Sequence, residues 1–157
     1  CWLLSACLCL SLTGCCSFER QWRQSQSYAY PERELAGCWE GQWHSDSNGH
    51  NGTLRAIITK ENEGYYRAQF KATFAFVIPY EFETTLLVTD DGEVFTFEGD
   101  ENLGFLAGGQ YVYRGQANSV ALQCDYSAQN KDRGTFMLTK VHGCTQCCTA
   151  GTCVPKP

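Results

Sequence analysis

Proline and helical periodicity are both scarce in this chain. Against 15 glycines there are only 4 prolines, so few positions are barred from backbone pairing. The glycines fall between apolar runs, as in a turn-rich β protein. No stretch sustains a helical repeat. The formal charge is -5 and no block of like charge stands out, which excludes a nucleic-acid footprint and a polybasic membrane patch. No apolar run is long enough to span a bilayer as a helix. Catalytic groups are missing too. No carboxylate falls on the inferred interior face of a strand, and no serine or cysteine is paired by context with a histidine base. The expectation is a protein that is not an enzyme, with no cofactor and no metal. What is present suits a packed core: 43% of the residues are hydrophobic and 13% aromatic, too many for a disordered chain. The length of 157 residues suffices for one domain and is short for two.

Residues 1 to 14, CWLLSACLCLSLTG, carry no charge. The run fits the apolar core of a signal peptide. It opens with neither methionine nor a basic region, which places the expected true start upstream. It ends in Leu12-Thr13-Gly14-Cys15, four positions that resemble, in order, the lipobox of bacterial lipoproteins. The resemblance implies cleavage before Cys15, acylation of its thiol and anchoring by several chains. The next residue is Cys16 and not aspartate; by the sorting rule of some bacteria, that favours the outer membrane of the cell envelope. Residues 15 to 36 then read as a lipid-anchored tether. Polar residues dominate and Pro31 favours extended chain. In the rival reading, Trp22, Tyr28 and Tyr30 pack onto the domain as a short helix or arm.

From Gly37 the pattern changes to period-two alternation broken by turn residues. Eight strands are expected, near 37–45, 53–60, 65–76, 80–88, 93–99, 110–115, 119–126 and 134–140. One face collects Trp39, Trp43, Phe70, Phe82, Phe95, Tyr111, Tyr113 and Phe136. Val120, Leu122, Cys124 and Tyr126 align in the seventh run. Short hairpins in succession predict an all-β antiparallel meander over 37–140, closed or nearly closed into a small barrel, since closure removes open edges. A two-sheet sandwich uses the same patterning.

Gly37-Cys38-Trp39 resembles the Gly-x-Trp signature on the first strand of lipocalins. There the tryptophan closes the barrel floor beneath a basic side chain from the last strand, a role open here to Lys140. Gly37-Cys38-Trp39-Glu40-Gly41 also looks like the opening of nitrobindin-type haem barrels, and avidins share the eight-strand plan.

Eleven cysteines are present. Cys1, Cys7 and Cys9 would leave with the signal, and Cys15 would be acylated. Cys16, Cys38, Cys144, Cys147, Cys148 and Cys153 are then disulfide candidates in an oxidising compartment, with Cys124 inside as a small apolar residue. Cys38 points outward next to the last strand, so a bridge to the cysteine-rich tail, 141–157, is expected. Alternative readings of the tail are a thiolate metal site with His142 and a redox Cys-x-x-Cys; haem ligation by His142 is a further one. His44 and His50 flank the first hairpin turn, where with Asp46 they could hold a metal; the favoured reading is that they decorate the loop.

Two functions compete. In one, a membrane-anchored barrel binds a small apolar or aromatic ligand among the eight inward aromatics. In the other, those rings fill the barrel and the protein works through its surface on an envelope partner, as an assembly factor or a hydrolase inhibitor.

Overall fold

A computed structural model describes residues 13–74, 78–104 and 108–141. Eight antiparallel strands form a closed meander barrel in sequence order, with β1 paired to both β2 and β8. The strands are β1 Gly37–Ser45, β2 Asn51–Asn62, β3 Tyr65–Phe74, β4 Ile78–Asp90, β5 Phe95–Asn102, β6 Gln110–Ala117, β7 Ala121–Ala128 and β8 Arg133–Val141. Closure suits the alternation: each strand sends one apolar face inward and no edge is left unpaired. The sandwich alternative is thereby set aside. Trp39, Phe70, Phe95, Tyr113 and Phe136 are buried in the interior cluster, with Trp43, Phe82 and Tyr111 packed against it.

The departures from expectation lie at element ends and in the N-terminal arm. Val120 belongs to the β6–β7 turn and is exposed. Asn118 shapes that turn by accepting from the backbone N–H groups of Val120 and Ala121. The chain also contains a helix, α1, over Thr13–Gln26. Its glutamines and arginines are good helix formers, and Phe18 and Trp22 lie four residues apart on one face. That face packs on the outside of the barrel against Cys38, Ile57 and Val141. Lys71 and Arg55 lie 5.6 and 5.1 Å over the rings of Phe18 and Trp22. The Lys71 ammonium is also 3.0 Å from Glu19 and 3.4 Å from Glu81. Residues 18–36 are therefore not a free spacer. Phe18, Trp22, Leu35 and Ala36 are buried in this arm, which costs less than leaving them solvated. Tyr28 alone among the arm's aromatics stays largely in solvent, 64% exposed.

The segment between α1 and β1 plugs one end of the barrel. Leu35 is fully buried and Tyr30 packs on the same cluster. Trp39 Nε1 donates to the Leu35 carbonyl at 3.0 Å. Lys140 Nζ lies 5.4 Å over the Trp39 ring and donates to the Glu34 carbonyl. Glu34 in turn accepts from the Tyr66 hydroxyl at 3.1 Å. Arg33 pairs with Asp90 and sits 4.7 Å over Phe95. This end is closed by a hydrophobic plug whose polar backbone groups are satisfied.

Cys38, expected in a bridge to the tail, is a free and buried thiol. Helix α1 covers it, and its Sγ lies 3.8 Å from the Trp22 carbonyl. Cys124 is free and buried in the interior as expected. No disulfide occurs among the described residues. The signal residues 1–12, His142, Cys144, Cys147, Cys148 and Cys153 lie outside the described residues, as do the side chains of Cys15 and Cys16.

Candidate functional site

At the end of the barrel opposite the plug, the interior opens into a cavity of ≈ 780 Å³. Strand polarity decides which loops surround it. The odd strands run from the plug towards this mouth, so β1–β2, β3–β4, β5–β6 and β7–β8 connect here. A shallow groove of ≈ 400 Å³ near Gln116, Gln123 and Met137 lies on the other end and lacks an aromatic lining.

The cavity floor is a set of stacked and tilted rings. Phe82 and Tyr113 lie 6.1 Å apart at 15°, with Tyr113 and Phe136 at 6.0 Å and Tyr126 and Phe136 at 5.2 Å. Phe70 stacks beneath Phe82 at 4.9 Å. The wall adds Trp43, Leu54, Ala72 and Tyr111, and Phe74, Ile78 and Tyr80 form an apolar part of the rim. Trp43 holds its place by crossing Gly52 to donate to the Thr73 carbonyl at 3.2 Å. A Cβ at position 52 would sit 1.8 Å from that carbonyl and 2.7 Å from Trp43 Nε1, so the crossing requires glycine.

The polar groups gather on one side of the mouth. The β7–β8 loop is fixed by its own backbone: Lys131 N donates to the Ala128 carbonyl and Ala128 N to the Asp132 carbonyl. Lys131 takes a left-handed φ of 73°. This turn delivers Asp132 to the cavity wall. Asp132 Oδ1 accepts from Ser45 Oγ at 2.5 Å and Oδ2 from the Tyr126 hydroxyl at 3.4 Å. Burial and the nearby Asp132 carboxylate push the Tyr126 phenol well above its usual range. Deeper in the cup, the Tyr113 hydroxyl is buried with no hydrogen-bond partner among the described residues.

Of the eight aromatics expected to contact a ligand, Trp43, Phe82, Tyr111, Tyr113 and Phe136 line the cavity. Trp39, Phe70 and Phe95 do not. Trp39 and Phe95 lie beneath the plug, under Lys140 and Arg33, and Phe70 lies under Phe82. Several wall residues escape the period-two reading. Asp132 lies in a polar loop, although β8's inward phase, carried back from Phe136 through Gly134, reaches it. Tyr126 was on the inward face of its run but outside the ligand set. His50, Asn48 and Asn130 belong to loops, where alternation says nothing.

His44, near the end of β1, approaches Asp46 in the first loop to 3.8 Å, while His50 packs edge-on to Phe74 at 5.1 Å. These residues do not converge, and no cluster suited to a metal ion occurs among the described residues. No helix among them is long and apolar enough to cross a membrane.

The chain matches no protein-family model, no curated protein and no solved structure in the three comparisons made. The chemistry of the cavity carries whatever can be argued about its use.

Proposed function

We propose that this protein is an envelope lipoprotein that binds a small molecule with an aromatic or apolar body in the open half of its barrel. The observation that carries the reading is the ≈ 780 Å³ cavity walled by aromatic rings above a sealed floor. Ligand sites are typically concave, about 300–1,000 Å³, mostly apolar, and carry a few placed polar groups. The cup meets each of these conditions. Its rings face an interior wide enough to hold one ligand, as small eight-stranded barrels do. A ligand that buries about 200 Å² of apolar surface gains roughly 5 kcal/mol at ~25 cal/mol/Å², before the costs of association. Trp39 under Lys140 and the plug supports likeness to the lipocalin floor as shared geometry. The filled-barrel alternative, a surface module acting on an envelope partner, is disfavoured by the same cavity.

The membrane half of the proposal rests on Leu12-Thr13-Gly14-Cys15 at the end of an apolar run. Both halves are tested by extracting the full-length protein from its native membrane and weighing it under native and then denaturing conditions. An added mass in the native spectrum alone identifies a bound ligand. A denatured chain that starts at Cys15 and carries acyl mass identifies the anchor. A native mass with no adduct counts against the carrier, and an unacylated chain against the lipoprotein.

A further inference from the structure

We propose that the cup selects a ligand bearing a positive charge on its aromatic or apolar body, with Asp132 and the rings beside it receiving the cationic group. The proposal rests on the small-ligand reading above and adds the class of ligand.

Three observations converge on it. First, Asp132 is the one carboxylate among the described lining residues, and no lysine or arginine lines the cavity with it. Its chain neighbours Lys131 and Arg133 lie outside that lining. Second, Asp132 makes no ion pair among the described residues. Ser45 and Tyr126 each donate one bond to it, whereas a carboxylate offers about four acceptor positions. A half-buried carboxylate beside apolar walls is best compensated by an opposite charge. Third, the chain's own cations already cover five aromatics outside the cup. Arg33 lies over Phe95, Arg55 over Trp22 and Lys140 over Trp39, within 4.7–5.4 Å. In the cup, Trp43, Phe82, Tyr126 and Phe136 receive no such cation from the described residues. Ring faces attract cations, more strongly where water is excluded, and a carboxylate beside them adds a charge partner. The formal charge of -5 favours the approach of a cation as well.

The test is a charge series on one shape: benzyltrimethylammonium, its neutral isostere neopentylbenzene, and the anion phenylmethanesulfonate. Binding is measured by calorimetry on the full chain, as wild type and as Asp132→Asn. The expected result is that the cation binds about tenfold more tightly than the neutral isostere, that the anion is rejected, and that Asp132→Asn brings cation and neutral probe together. If Asp132→Asn does not fold, salt decides in the wild type: cation binding weakens from low to high ionic strength and neutral binding does not. Equal binding of cation and neutral probe overturns the charge proposal and leaves the small-ligand reading intact. A cation preference that survives Asp132→Asn, or in the wild type fails to respond to salt, overturns the role of Asp132. Failure of all three probes to bind counts against the cup reading itself.

Discussion

Tyr113→Phe should make the protein more stable and a worse receptor. Tyr113 is 2% exposed, its ring 6.1 Å from Phe82 and 6.0 Å from Phe136. Its hydroxyl is buried without a partner among the described residues. Burial pushes the phenol's ionisation far above the ordinary range, so the group stays a neutral hydroxyl at any pH at which the protein would be studied. A buried, unbonded hydroxyl costs about 1–3 kcal/mol. Phenylalanine keeps the ring and removes the unmet donor, so the free protein should gain up to about that much. For a domain near a hundred residues, each kcal/mol moves the Tm by about 4–8 °C. The assay is urea unfolding of both proteins at neutral pH, with the m-value checked for constancy. The same variant should bind a hydrogen-bonding ligand less tightly, the usual exchange of stability for function at a site. A loss of about 1 kcal/mol or more in the ligand-free variant would show that the hydroxyl is bonded in solution and would refute the reasoning.

Three further outcomes follow from the arm, the plug and the rim. Burial pushes the Cys38 thiol up to about 11 and the Cys124 thiol up to about 12, so neither should react at mild pH; Trp22→Ala should uncover Cys38 to alkylation and leave Cys124 protected, as peptide mapping would show, at a cost of about 3 kcal/mol in stability. Arg33 and the Gly92 N–H hold the Asp90 carboxyl down at about 2, below the roughly 3.9 of an unfolded chain. That stabilisation is complete above the unfolded value and is lost as pH falls towards about 2, so the gap in urea midpoint between wild type and Asp90→Asn should close over that interval. Gly52→Ala should displace the Trp43 indole, change the near-ultraviolet circular dichroism and cost about 1–3 kcal/mol by overpacking.

Most of the barrel was legible because alternation is a local signal. Tyr66, Ala68 and Phe70 face inward with Arg67, Gln69 and Lys71 opposite, and no helical repeat competes with that pattern. The Asp90-Asp91-Gly92 turn is equally local: Asp90 and Asp91 accept from the backbone N–H groups that follow them. Helix α1 was legible only as the rival to a free tether. Among its described side chains only Phe18 and Trp22 are apolar and buried, and their partners Cys38 and Ile57 are on the outer face of the sheet. A polar helix with so few buried side chains takes its stability from tertiary packing, which leaves no sustained repeat. The cup was half legible. Trp43, Phe82, Tyr111, Tyr113 and Phe136 follow from strand phase. How deep the plug reaches does not follow, because it depends on Leu35 and Ala36 folding under Trp39. Trp39, Phe70 and Phe95 therefore share the inward face with the cup residues yet lie in the packed half. Asp132 depends on the left-handed turn at Lys131, and nothing in strand alternation announces that turn.

A receptacle in the upper half of the barrel is tested most simply by titration with the neutral fluorophore N-phenylnaphthylamine, comparing wild type with Ala72→Trp, whose added ring projects into the cavity wall. The expected result is a saturable rise in emission at one probe per protein in the wild type, an upward Tm shift with probe concentration, and loss of both in a folded Ala72→Trp protein. Equal emission from the two proteins, or none from the wild type, would contradict it.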